Sequence, residues 1–233
     1  MKNLVAALVI ALFAASAVDS VESDTPGETQ PVVASADEAL QRLIDGNLRF
    51  AHETPRHPHE SADWRQSVED AQHPFAVVLG CSDSRVPPEL IFDQGLGDLF
   101  VVRVAGNVVD TDVTASVEYA IDHLDTHLIV VMGHTHCGAV TATLDHLNDP
   151  EGEPAEVVEL LYRIEPATMS IDKTLPREEQ IELAVRHNVE AAVRRLSRVP
   201  DLRRSLSEGK AKIVGAMYDM HTGEVRFLDP PVE

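Results

Sequence analysis

Four short apolar runs constrain this chain more than any other feature. They are Phe75-Ala-Val-Val-Leu79, Leu99-Phe-Val-Val-Arg103, His127-Leu-Ile-Val-Val-Met132 and Lys212-Ile-Val-Gly-Ala-Met-Tyr218. Each is short for a helix and too continuous for a strand with one wet face. Each therefore reads as a strand, the Phe75 and Leu99 runs as strands buried in a parallel sheet. Between them the spacing turns helical. Leu40, Leu43, Ile44 and Leu48 follow a capping box formed by Ser35 and Glu38. Val113, Val117, Ala120, Ile121 and Leu124 keep the same period, and helices are also expected over 138–147, 154–164 and 181–196. The last is acidic early and Arg-rich late, an order that suits the helix dipole. Beyond Tyr218, His221-Thr-Gly223 turns into Glu224-Val-Arg-Phe-Leu228, an expected antiparallel edge strand. Strands alternating with helices predict an α/β fold: a mainly parallel central β-sheet flanked by helices, with an antiparallel C-terminal edge strand and an N-terminal helical arm. In such sheets, sites form at the carboxyl ends of the strands.

The beginning of the chain follows another logic. Residues 1–17 carry Lys2, an apolar stretch from Leu4 to Ala15 and the small-x-small sequence Ala15-Ser16-Ala17. This is the pattern of a cleaved secretory signal peptide. The stretch is too short to span a bilayer, which takes about 20 residues. The expectation is an exported protein, periplasmic or secreted, with no membrane attachment after cleavage. Residues 18–34 are polar, hold Pro and Gly and lack a period, so they are expected to be a flexible linker. Residues 35–233 are expected to form a single domain. Acidic residues outnumber basic ones 39 to 19, for a formal net charge of −20. A polyanion would be repelled, which argues against nucleic acid as a partner.

Two of the apolar runs end in chemistry. The first leads into Cys81-Ser-Asp83-Ser-Arg85-Val-Pro87, the second into Gly133-His134-Thr-His136-Cys137-Gly138-Ala139, and these hold both cysteines of the chain. Two thiols and an imidazole on neighbouring strand ends suit Zn²⁺, a borderline-soft ion, and leave its fourth position open. No Cys-x-x-Cys is present, so neither a zinc finger nor a thioredoxin-like redox pair fits. In an exported chain two cysteines also read as a disulfide, and geometry alone does not separate the two readings. The disulfide leaves His134, Asp83 and Arg85 without a role. Asp83 and Arg85 alternate along an extended segment and so share a face. Such a pair keeps the carboxylate ionised and oriented. It can then accept a hydrogen bond at the open position or swing in as a fourth ligand.

Together the two motifs, with His134 lying 53 residues after Cys81, resemble the β-class carbonic anhydrases. The resemblance runs from Ala36 to Phe227 and includes Asn47-Leu-Arg-Phe50, similar to a segment near that family's N-terminal helices. It implies reversible hydration of CO₂ to bicarbonate and a proton by attack of zinc-bound hydroxide. It implies one Zn²⁺ per chain on Cys81, His134 and Cys137, with Asp83 and Arg85 as the catalytic dyad and Asp83 a metal ligand only in a closed state. It also implies a homodimer or larger assembly. Plant-type members carry a Gln, a Phe and a Tyr that correspond to Gln72, Phe100 and Tyr119; there they line the CO₂ pocket, the aromatics coming from the neighbouring subunit. The Gly138 N–H, at the start of the next helix, is a natural bicarbonate contact. Val78 stands where a regulated subgroup has Trp, so that subgroup's non-catalytic bicarbonate pocket is incomplete here, although Arg103 matches it. Two other functions fit the motifs: hydrolysis of CS₂ or COS on the same fold, and a zinc-stabilised, non-catalytic oligomeric binding protein.

The remaining histidines have plainer readings. His52 and His57-Pro-His59 are expected in a solvated loop rather than a second metal site, since no further ligands accompany them. His136 is expected to be an exposed turn residue, and His123 and His187 to be structural positions on helical faces.

Overall fold

The computed structural model describes Val33, residues 35–146 and residues 153–228. The signal peptide expected at 1–17 and nearly all of the linker expected at 18–34 lie outside the described residues.

The apolar runs become strands β1 (Ala76–Gly80), β2 (Leu99–Arg103), β3 (Leu128–His134) and β4 (Lys212–Tyr218), joined by the short β5 (Val225–Phe227). They form one sheet in the order β2-β1-β3-β4-β5, parallel throughout except for the antiparallel β4–β5 pair. β1 and β3 are buried at every residue, whereas β2 is only half-buried along its length. After β1 the chain crosses to β2 on one side, then returns to place β3 on the other. The carboxyl ends of β1 and β3 therefore flank the point where the winding reverses, the crevice in which open α/β sheets hold their ligands.

Among the described residues eight helices surround the sheet: α1 (Ala36–Ala51), α2 (Ala62–Ser67), α3 (Pro88–Ile91), α4 (Thr111–His123), α5 (Gly138–His146), α6 (Ala155–Thr168), α7 (Arg177–Ser197) and α8 (Pro200–Ser207). Ser35 caps α1 by accepting from the Glu38 N–H at 3.2 Å. Buried Asn47 then fixes the far half of α1. Its amide donates to the carbonyls of Ile91 and Gly223 and accepts from the Val225 N–H at 2.7 Å. The N-terminal arm is thus pinned to α3 and to the β4–β5 turn. On the other side α7 presses on the sheet: a Cβ at Gly133 would stand 2.6 Å from a Val189 methyl. None of the described helices is long and apolar enough to cross a membrane.

The His-rich loop departs from expectation. His57 is exposed, but His59 is buried. Its ring stacks on Trp64 at 3.7 Å and its Nδ1 bonds the fully buried Asp98 at 2.7 Å. Asp98 also accepts from Arg42 of α1 at 3.0 Å and from the Gly95 N–H. Nearby, Asp93 accepts from Arg49 at 2.6 Å and from the N–H groups of Arg56 and His57. Burial pushes the Asp93 carboxyl up, and these donors outweigh it, holding the group below the usual carboxylate range. A buried carboxylate needs such partners, and the two aspartates draw the loop inward. Four elements were not expected from the sequence: α2, α3, α8 and a single 3-10 turn at Ala105–Asn107.

Candidate metal centre

The carboxyl ends of β1 and β3 bring Cys81, His134 and Cys137 together. All three are buried, and their donor atoms lie within 4.8 Å of one another. Both cysteines are free thiols, so the disulfide reading is not realised. The His134 Nδ1 sits 2.9 Å from the Thr135 carbonyl. A carbonyl only accepts, so Nδ1 carries the proton and Nε2 its lone pair. That Nε2 is buried without a hydrogen-bond partner among the described residues. A buried, unpartnered imidazole nitrogen facing two sulfurs is a poor arrangement without a cation and a good one with zinc.

The sulfurs are electrostatically prepared. Cys81 accepts from the N–H groups of Asp83 at 3.4 Å and Gly106 at 3.3 Å. Cys137 stands at the start of α5, where the N–H groups of Ala139 and Val140 meet its sulfur. A helix N-terminus favours a thiolate. A hydrogen bond from the Cys137 thiol holds the Cys81 thiol well below its usual value, against burial and with help from the Asp83 and Gly106 N–H groups. Cys137 is pushed up for the same reason, since it is the donor. One proton shared between two buried sulfurs is a site that a soft cation completes by displacing that proton.

Asp83 lies beside the three donors but not among them. Arg85 takes both of its oxygens, Nε to Oδ1 at 2.9 Å and Nη2 to Oδ2 at 2.7 Å, and the Arg85 N–H adds a third bond. This fork holds the Asp83 carboxyl well below the usual range. Arg103, at the end of β2, donates to the carbonyls of Cys81 at 2.9 Å and Asp83 at 2.5 Å. Its guanidinium is spent on the first ligand loop. Val78 is fully buried within β1.

The residues carried over for the substrate pocket do not converge on this point within one chain. Gly138 does: it opens α5, exposed, with open space over its Cα. Gln72 is exposed and precedes β1, at the opposite end of that strand from Cys81. Phe100 pairs in register with Val77, four residues before Cys81, about 13 Å back along the sheet. Tyr119 on α4 meets the Phe100 ring at 6.3 Å and is 48% exposed. His136 is exposed, as expected, in a left-handed turn where its carbonyl accepts from Arg85. His123 stands at 5.0 Å from Tyr119, and His187 bonds the Ala167 carbonyl. Sequence reasoning missed the Gly106 turn, whose N–H reaches Cys81; no periodicity marks it, and only the Gly-Asn pair hints at a turn.

A family model described as carbonic anhydrase matches residues 76–225. The chain is 42% identical to the carbonic anhydrase of Mycolicibacterium smegmatis over 190 residues, covering 81% of this chain and 91% of that one. It is 41% identical to carbonic anhydrase 2 of Mycobacterium tuberculosis over 195 residues, covering 82% and 92%. Among solved structures it resembles the β-carbonic anhydrase CcaA, with a TM-score of 0.67 and 31% identity over 82% of this chain and 95% of that one. It also resembles tetrameric β-carbonic anhydrases of Sordaria macrospora, with a TM-score of 0.66 and 26% identity over 81% and 96%. The chain belongs to the β class of the carbonic anhydrases, zinc enzymes that interconvert CO₂ and bicarbonate.

Proposed function

We infer that this chain hydrates CO₂ reversibly with one zinc ion held by Cys81, His134 and Cys137. The observation that carries the reading is the buried Cys-His-Cys set with its unpartnered Nε2, next to a bidentate Asp83–Arg85 pair. When bound, zinc supplies a Lewis acid that lowers the pKa of a coordinated water from 15.7 toward about 7. Asp83 accepts a hydrogen bond from the attacking oxygen and turns its lone pair toward CO₂. Arg85 keeps Asp83 ionised and its oxygens fixed, so the acceptor is present throughout the neutral range. The Gly138 N–H, at the N-terminus of α5, faces the negative charge that grows on the product. Hydrolysis of CS₂ or COS and a non-catalytic role are not favoured, because the dyad is assembled and the similar proteins are carbonic anhydrases.

Two finer statements belong to the same proposal. The working unit is a homodimer or larger, joined along β2, with Phe100 and Tyr119 of one copy completing the pocket of the other. Its support is the half-buried edge strand and the exposed Tyr119. The enzyme is exported by the signal peptide at 1–17, for which the sequence pattern is the support.

Metal analysis paired with a stopped-flow CO₂ hydration assay tests the centre. Wild type is expected to carry one zinc per chain and to lose activity with a chelator. Cys137→Ser, which exchanges a thiolate for a weak oxygen donor, is expected to lose both zinc and activity. Full zinc occupancy in that variant would remove Cys137 from the ligand set.

A further inference from the structure

Helix α7 buries an asparagine that the reaction does not use. Asn188 sits in mid-helix, 4% exposed. A buried amide there is costly unless its hydrogen bonds are met. Its Nδ2 donates to the Gly106 carbonyl at 2.7 Å. Gly106 lies in the Ala105–Asn107 turn with φ +65°, and Asn107 follows at φ +43°. Gly and Asn are the residues that accept successive left-handed positions, so the turn forms locally and its placement is left to outside contacts. The other side of the turn faces the metal centre: the Gly106 N–H donates to Cys81 Sγ at 3.3 Å. The turn is tightly walled. A Cβ at Gly106 would stand 2.6 Å from Ile164 Cδ1 of α6 and 3.2 Å from Ala139 Cβ of α5.

We propose that Asn188 is a positioning residue for the metal centre: from α7 it anchors the left-handed Gly106 turn so that the Gly106 N–H hydrogen-bonds the Cys81 thiolate. The inference rests on the reading of Cys81 as a zinc ligand. A donated N–H draws charge from the sulfur and fixes where it sits. Without the Asn188 amide the turn loses the bond that holds its carbonyl, shifts, and carries the N–H off the sulfur. Outer groups of this kind typically change metal affinity about 10–100-fold.

The test uses the full chain loaded with cobalt(II). It reads the thiolate-to-cobalt charge-transfer band and the rate of metal release to a chelator. Asn188→Ala is expected to move the band to lower energy, because a thiolate with fewer hydrogen bonds gives up its electron more readily. It is also expected to speed release about 10–100-fold. An asparagine that serves packing alone would lower the melting temperature and leave band and release rate unchanged, and that result overturns the proposal. If the variant does not fold, cadmium-loaded wild type carries the test by NMR. A scalar coupling from the metal nucleus to the Gly106 amide proton, passed through the N–H···S bond, is expected, and its absence overturns the proposal. A wild-type cobalt spectrum without any thiolate band overturns the ligand reading itself, which separates the two failures.

Discussion

The carboxyl ends of β1 and β3 and the edge strand β2 belong to one sheet but are finished to different degrees. At the strand ends the chain closes on itself. Cys81, His134 and Cys137 are all buried, and each has its outer hydrogen bond from within the chain: Gly106 and Asp83 to Cys81, Ala139 and Val140 to Cys137, Thr135 for His134. At β2 every residue is half-buried or exposed and one side of the strand has no neighbour in the sheet order. The Phe100 and Tyr119 rings lie against each other there, partly in solvent. A single chain builds its metal end completely and leaves the Phe100–Tyr119 edge, which we propose as the wall of a partner's pocket, open. An exposed apolar edge is a pairing hazard unless something covers it, and this edge is the one at which we propose a second copy docks.

The sharpest way to break this comparison is at the finished end. Asp83→Asn keeps the side-chain shape and removes the charge, and Arg85→Ala removes the fork that holds it. Each is expected to lower kcat/KM about 10²–10³-fold, the usual cost of deleting one preorganised electrostatic contact, with zinc content unchanged. Loss of zinc from Asp83→Asn would make Asp83 a permanent ligand. The pH dependence follows from the sign of the shift. Asp83 is held below its unfolded value, so its contribution to stability is present above the ordinary carboxylate pKa of about 3.9 and fades as pH falls through the depressed value. Asp83→Asn is therefore expected to melt earlier at neutral pH and to converge with wild type only in strong acid. No inflection of the wild-type rate profile near neutrality is expected to belong to this carboxylate.

The unfinished region can be tested by mixing. The double variant Phe100→Ala/Tyr119→Ala is expected to keep its zinc and lose about tenfold or more in kcat/KM through lost positioning. Cys137→Ser keeps both rings and loses its zinc. If the pocket is shared across a two-fold interface, a mixed dimer of the two variants holds one intact site, with zinc from one copy and rings from the other. Equimolar co-assembly should then restore roughly a quarter of wild-type activity, since half the dimers are mixed and each has one good site. No restoration, with mixed dimers demonstrated by mass spectrometry, would put the pocket within a single chain.

What could be read from the sequence divides along the same line. The β2 and β4 bounds were legible because Leu99–Arg103 and Lys212–Tyr218 are continuous apolar runs, a signal that needs no partner. Cys81, His134 and Cys137 were legible because each sits at or within a few residues of a strand end, and winding order makes β1 and β3 neighbours. Contacts built across the chain were not. Asp98, His59 and Arg42 carry no mutual pattern, and His59 read as solvated until its partners were in place. Asn188 carries no signal in the sequence, since its partner is 82 residues away. α3 has four residues, too few to show a period. Gln72, Phe100 and Tyr119 could be aligned to a role, but within one chain they do not converge on Cys81.

Salt offers the mildest test, because it should act on one region and spare the other. Each chain carries a formal charge of −20, so two copies joined as proposed at β2 would repel before they touch. The crowding is visible beside the edge: on α4, next to Tyr119, burial and the nearby Asp201 and Asp122 carboxylates push the Glu118 carboxyl up. Salt shortens the Debye length from about 30 Å at 0.01 M to about 3 Å at 1 M. Over that range the repulsion between two anionic copies falls away, while the buried donors at the strand ends, screened little by salt, keep their geometry. Sedimentation across a sodium chloride series is therefore expected to show the dimer tightening by a few-fold in Kd, the scale of an exposed charge interaction worth about 1 kcal/mol or less. Zinc content, and the rate per dimer in a salt of a weakly coordinating anion, are expected to stay flat, since CO₂ is neutral and its encounter is not steered by charge. A Kd that does not move with salt would mean that the acidic surface lies away from β2 and that charge has no part in leaving that edge open. Zinc lost in proportion to salt would mean that the strand ends are less closed than their hydrogen bonds imply.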